Sequence, residues 1–352
     1  MIRKGINIFL IVSLVVGVSF ISTSCGNLKI SKLRANHHFS NANSLFEKKK
    51  YRDAIEEYEK AMKYNPDLEN AHRYLGECYK KLYKPGLDTE ENKKKAQKAL
   101  EALKKAYESN PNDKDIIFSL GDMYDKLREF KKAEEFYVKI LEMEPTNMSN
   151  YYVVADFYKK YVGMGEDKGE EGKKEKKGKE KSETAEANGT KTPAEKAEEM
   201  YLRRIELDPQ SEKGYAYITQ YYENLDPPKF DEADRFHDKR IKLFPKNAQA
   251  LVSKAVNRWS KAYRLPNLPK EKRLALAREA EELLLKAEEL EPKYPEPYSW
   301  LSVVYKSLFA KLEPHKAETY QQRSDMYIEK FKELRKRKAE RDKLEEELKK
   351  KK

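Results

Sequence analysis

Cysteine is nearly missing from this chain, with two among 352 residues, Cys25 and Cys78. That excludes a disulfide framework and any site built from several cysteines. Glycine is sparse at 13 residues and β-branched runs are few, so neither a glycine-rich linker architecture nor a strand-rich fold is indicated. Apolar residues make up only 39% of the chain and mean hydropathy is −0.97, low for the two or three spherical cores that this length could hold. A thin array of repeated helical units fits these values better. Beyond Ile6–Ile21 there is no long apolar run.

Catalytic signatures are lacking as well. The histidines, His37, His38, His72, His237 and His315, are scattered, and there is no His-Glu-x-x-His or Gly-x-Ser-x-Gly sequence. Gly163-x-Gly165 is not a phosphate loop, because no strand precedes it and no Gly-Lys-Ser/Thr follows. No enzyme activity, cofactor, metal or small-molecule substrate is expected. The formal charge of +12 raises nucleic-acid binding, but its distribution argues against it. Eleven basic and six acidic residues fall in 332–352, and no basic stripe with interleaved aromatics recurs elsewhere.

What the chain does contain is periodic. Lys114–Pro145 places Ile117, Leu120, Gly121 and Tyr124 on one helical face, then Ala133, Tyr137 and Ile140 on a second helix closed by Pro145. Pro111 closes the preceding unit 34 residues earlier. Gly121 and Ala133 are small where two antiparallel helices must approach, and Pro145 cannot continue a helix. This pattern of Leu-Gly, Tyr, Ala, aromatic and Pro at fixed offsets resembles the tetratricopeptide repeat. The resemblance implies an all-α fold, a right-handed α-solenoid of about seven helix-turn-helix repeats with a long C-terminal capping helix.

The repeats fall at about 35–68, 69–113, 114–147, 148–211, 212–247, 248–294 and 295–331, followed by a charged helical tail at 332–352. Leu75, Gly76 and Tyr79 open the second, with Asp88 read as the cap of its second helix. Val154, Ala155 and Tyr158 serve the fourth. In the fifth, Thr219 takes the glycine position. In the sixth, Arg258 replaces the tyrosine, with Trp259 beside it. Repeats two, four and six are lengthened between their paired helices, around Lys84–Asp88, across 163–191 and around Leu265–Pro269, so the extra residues are expected to project from one edge. The 163–191 insert carries as many acidic as basic residues and too little apolar surface to fold. Thr192-Pro193-Ala194-Glu195 then restarts a helix with a capping box.

The amino terminus reads as an export signal over 1–24: Arg3 and Lys4, the apolar run, then Ser22-Thr23-Ser24 before Cys25. Small residues followed by Cys25 and Gly26 resemble a lipoprotein lipobox, in which the cysteine is lipidated and becomes the new terminus. Ser22 stands where that family prefers leucine. An uncleaved membrane anchor is the alternative, and both put the remainder outside the cytoplasm. Gly26 resembles lipoproteins sent to the outer membrane. Residues 25–34 are read as a tether, with Lys29, Lys32 and Arg34 able to rest on anionic lipid.

Tetratricopeptide arrays bind proteins or peptides along the face of their first helices. The matching offsets here are Phe39, Asn43 and Phe46 in repeat one, Arg73, Glu77 and Lys80 in repeat two, Phe118, Asp122 and Asp125 in repeat three, and Tyr152, Asp156 and Lys159 in repeat four. Asn43 fits one position of the clamp that holds chaperone-tail carboxylates, but Phe39, Glu77 and Asp115 stand where cations or amides are needed. Asp115, Asp122 and Asp125 point instead to a ligand with basic groups. The reading is a membrane-attached, non-catalytic envelope scaffold. A polyanion-binding protein using the basic tail, or an accessory subunit regulating an envelope enzyme, are its rivals. Cys25→Ser is expected to abolish fatty-acid labelling and release the protein from membranes, measured by palmitate labelling and fractionation. Attachment that persists in the variant would instead mark an uncleaved anchor.

Overall fold

A computed structural model describes residues 29–68, 70–162, 191–265 and 267–350. The signal segment, Cys25 and almost all of the 163–191 insert lie outside these residues. Among the described residues there is no strand, and no helix is long and apolar enough to cross a membrane. The chain forms two compact units that divide between Asn150 and Tyr151.

In the first unit, α1 (29–47) precedes α2 (Tyr51–Tyr64), α3 (Ala71–Leu82), α4 (Glu90–Ser109), α5 (Lys114–Lys126) and α6 (Phe130–Met143). The second holds most of α7 (Met148–Lys160), then α8 (Pro193–Leu207), α9 (Glu212–Glu223), α10 (Phe230–Leu243), α11 (Ala248–Arg264), α12 (Lys270–Leu290) and α13 (Glu296–Val304). The last of these runs through a π-helical turn, Tyr305–Phe309, into the short α14 (Ala310–Leu312), and α15 (Ala317–Lys350) ends the described chain. Within each unit successive helices pack as antiparallel pairs and each pair stacks on the next, the architecture of an α-solenoid.

Small side chains fix these pairs. Ala42, Ala155, Thr219, Ala255 and Ser302 are all buried at the position that Gly76 and Gly121 occupy in repeats two and three. A Cβ on Gly76 would sit 2.6 Å from Leu103 Cγ of α4, and one on Gly121 would meet the Tyr137 ring at 3.2 Å. Thr219 is accommodated by turning its hydroxyl onto the Ala216 carbonyl, 3.0 Å away. Around each crossing the apolar layer closes, with Leu103, Leu120, Ile140, Ile218, Leu251 and Leu284 almost fully buried. Burial of each such side chain contributes about 1.5–3 kcal/mol.

Neighbouring repeats are also joined by a recurring polar contact. Three residues after the small position, a side chain reaches back to a carboxylate on the second helix of the preceding repeat. Tyr79 donates to Glu59 at 3.2 Å, Tyr222 to Glu198 at 2.8 Å, and Tyr305 to Glu281. In repeat six Arg258 does the same work with Asp234 at 2.7 Å, and its guanidinium also pairs with Glu279 at 2.7 Å. The sixth repeat therefore keeps the contact with a cation in place of a phenol. Tyr215 and Tyr298 hold a second repeated contact, each donating at 3.0 Å to the carbonyl of the proline that closes the previous unit, Pro209 and Pro292.

Three expectations need correction. The first helix starts before the expected 35: residues 29–34, read as part of the tether, are the first turns of α1, where Ser31 donates to the Tyr64 carbonyl and no glycine or proline interrupts the helix. The added length of repeats two and six is mainly helix: α4 has 20 residues and α12 has 21, against 14 in α2 and α6. Lys, Glu and Ala dominate these segments, and pairs such as Glu91–Lys95 at 2.6 Å support the added turns. The cap of α4 is Thr89, not Asp88; Thr89 accepts from the Asn92 amide, while Asp88 pairs with Lys93 at 2.8 Å. The expected box at the start of α8 forms, with Thr192 and Glu195 bonding reciprocally and Pro193 in the first turn.

Asn92 is the residue that holds the 83–89 connection. Buried, it accepts from the Lys84 amide at 2.9 Å and donates to the carbonyls of Lys84 and Leu87, both at 2.8 Å. Asn92→Ala is expected to cost about 2–3 kcal/mol, because it strands those backbone groups. Gly76→Ala is expected to cost about 1–3 kcal/mol through overpacking against Leu103. Both follow from urea denaturation midpoints, and Gly121→Ala, with its longer contact, should shift less.

Candidate functional site

The first helices of repeats two and three, α3 and α5, lie side by side and carry a charged network. Lys80 is its centre, only 6% exposed, with Glu77 at 2.8 Å, Asp122 at 3.2 Å and the Ser119 hydroxyl at 3.1 Å. Ser119 donates in turn to Glu77, and Lys126 pairs with Asp122 one turn along α5. Arg73 completes the row with Asp115 at 2.5 Å and Asp113 at 3.7 Å, its guanidinium lying over the Tyr74 ring. A buried ammonium is stable only when paired, and two carboxylates and a hydroxyl satisfy it here. Burial works against the Asp122 charge, but Lys80 and Lys126 outweigh it and hold that carboxyl below its usual range.

This pairing overturns the basic-ligand reading. Asp115 and Asp122 meet cations of their own chain, Arg73, Lys80 and Lys126, so the acidic cluster is already compensated. Asp125 is half-buried on α5. The sequence reading placed Arg73, Glu77, Lys80 and Asp122 on one surface, and the structure brings them together, but as partners of one another. It missed Ser119, one residue before the Leu120-Gly121 pair and on the α5 turn that meets α3.

The aromatic candidates of repeat one are packing residues in large part. Phe39 is tilted against Tyr58 and edge-on to Tyr74, at 5.7 and 6.1 Å between centroids, and Phe46 contacts Tyr51 and Tyr74. Asn43 accepts from the Tyr58 hydroxyl at 2.7 Å. All three are half-buried between α1, α2 and α3. Phe118 differs: 37% exposed, it rests one edge on Tyr137 and presents the remainder to solvent. In the second unit Tyr152 packs on Tyr217 at 4.3 Å, with the Arg204 guanidinium over the Tyr217 ring, and Asp156 pairs with Lys159 at 2.8 Å. Of two open hollows, the one of about 490 Å³ beside Asn110–Asp115 has a mainly polar lining, and the one of about 400 Å³ beside Asn41, Leu45, Asp53 and Glu57 a mixed one. Among the described residues no group of three or more His, Cys, Asp or Glu side chains is placed to hold a metal.

The geometry thus offers paired helices with charged and aromatic first-helix faces. Comparison with known proteins identifies their class: residues 42–82 match the family model described as TPR repeat, and residues 93–155 that described as tetratricopeptide repeat. The chain therefore contains tetratricopeptide repeats, modules whose general role is to bind other proteins. No curated protein matches. Among solved structures, it is similar to a tetratricopeptide repeat protein from Parabacteroides merdae at 14% identity, covering 86% of this chain and 93% of that one, with a TM-score of 0.42. Pseudomonas aeruginosa pilF gives 12% identity over 78% and 99%, with a TM-score of 0.41. MamA from Desulfovibrio magneticus gives 13% over 60% and 94%, with a TM-score of 0.40. Likeness of this degree adds nothing to the helix-pair architecture already described.

Lys80→Met should destabilise the protein by about 2–3 kcal/mol, because Glu77 loses its cation and Asp122 keeps only Lys126. The pH dependence has a fixed sign. Asp122 titrates lower in the folded than in the unfolded chain, so its contribution is complete above the unfolded value of ~3.9 and is lost as pH falls through the folded value. Carboxyl-detected NMR titration should place Asp122 below the reference range in the native protein and move it upward in Lys80→Met.

Proposed function

We propose that the protein is a membrane-attached, non-catalytic adaptor of the bacterial cell envelope, held through Cys25 and binding a partner protein through the first-helix faces of its repeats. The observation that carries the proposal is the order of features along the chain: tetratricopeptide repeats begin by residue 42, a short distance after an export-type apolar run and Cys25. Attachment so close to the first helix pair keeps the repeats at the membrane surface. The paired network around Lys80 argues that this part of the first-helix surface is preset, and Phe118 is the exposed apolar residue beside it.

A photo-crosslinking amino acid at Phe118, introduced in cells, is expected to capture one defined protein, read by mass spectrometry, and the same label at Met326 on α15, 57% exposed, is not. Equal capture at both positions would remove the first-helix assignment. Absence of capture together with strongly salt-dependent polyanion binding by a 332–352 peptide would favour the basic-tail reading.

A further inference from the structure

The chain has two tryptophans, Trp259 on α11 and Trp300 on α13, and the fold puts them in contact although 41 residues separate them. Their ring centroids are 5.2 Å apart at 59°, so they pack as a tilted, wedge-shaped pair, each ring half-buried. Tyr263, one turn after Trp259, stacks on it at 5.0 Å and is 46% exposed, which makes a continuous aromatic surface across the first helices of repeats six and seven. Trp259 Nε1 donates to Ser307 Oγ at 2.7 Å, and Ser307 lies inside the π-helical turn Tyr305–Phe309. A π turn forgoes regular α-helical bonding and is found frequently at functional sites. Here it widens α13 where the wedge is anchored.

The helices that carry this surface are rich in cations. From Ala248 to Arg264 there are four cations and no carboxylate, and from Pro297 to Leu312 two cations and no carboxylate. Lys254, Arg258 and Lys261 pair with aspartates of α10 and are compensated there. Lys306 and Lys311 are exposed and have no carboxylate partner among the described residues, and Lys311 holds its ammonium 5.8 Å above the Tyr263 ring. Lys306 precedes Ser307 in the π turn. Half-exposed aromatic faces beside the Lys311 ammonium, with Lys306 on the same turn as the tryptophan's anchor, complement a ligand that joins an apolar ring to negative charge.

We propose that Trp259, Tyr263, Trp300, Lys306 and Lys311 form a docking surface for an acidic peptide segment with an aromatic anchor, the ring stacking on the exposed faces of this aromatic cluster and its flanking carboxylates meeting the two lysines. This rests on the adaptor reading and specifies the partner's chemistry at the C-terminal repeats. Single-stranded nucleic acid has similar complementarity, but it needs a line of cations along a backbone track, and only two uncompensated lysines are present at this surface.

Both tryptophans of the protein lie in the site, so their selectively excited emission reports occupancy directly. The exported chain without residues 1–28 is titrated with a nonapeptide of central phenylalanine flanked by glutamates, its lysine counterpart, and oligothymidylate. A saturable emission change with the acidic peptide is expected, about tenfold weaker in Lys306→Glu/Lys311→Glu and weakened by Tyr263→Ala. These three side chains are exposed, so the variants should keep the wild-type helical circular dichroism. No saturable change, an equal response to the lysine peptide, or a stronger response to oligothymidylate overturns the proposal. Crosslinking at Phe118 that succeeds while this titration fails would leave the adaptor reading standing and remove the platform alone.

Discussion

Close approach of two helices at a small side chain is the contact on which the remaining structure depends. Gly76 and Gly121 admit Leu103 and Tyr137 at distances that a Cβ would block, and Ala, Thr or Ser holds the same place elsewhere. The approach lets a hairpin with little apolar content bury a leucine and a tyrosine per crossing, but it leaves the outer faces of the pair uncovered. Stacking is then obligatory, and the phenol or guanidinium that reaches back to the preceding repeat, from Tyr79, Tyr222, Arg258 and Tyr305, sets how each pair sits on the last.

That division of labour explains how a chain with 38% charged residues folds at all. Charges near the seams are used as partners. Lys80, Glu77 and Asp122 tie α3 to α5, and Arg240 of α10, 2% exposed, is held by Glu212 of α9 at 2.6 Å. Glu144 gathers Lys114, Asn147 and Asn150, a set of donors that pulls its carboxyl down to about 2. Such networks cost desolvation and return specificity of register only when every member is satisfied.

A surface preorganised by internal ion pairs has little charge left to offer a ligand, and each position proposed for recognition is one where pairing is incomplete. In the first unit that position is Phe118. In the second it is the tryptophan pair, where Lys311 stands over the Tyr263 ring without an acid partner among the described residues.

Period, small residues and closing prolines were legible in the sequence because each reports a local constraint: Gly121 the approach of helices, Pro145 the end of one, Thr192 and Pro193 the start of another. They determined the repeat fold and the pairing of helices. They could not show that Asp115 and Asp122 are neutralised by Arg73 and Lys80, since those charges lie about one repeat apart and meet only when α3 and α5 stack. Nor could they show that the added residues of repeats two and six extend helices, since turn residues such as Pro85 and Gly86 mark a break and not its length. The meeting of Trp259 with Trp300, and the π turn that holds it, was likewise decided by tertiary packing, because contacts between repeats are set by how one pair of helices rests on the next.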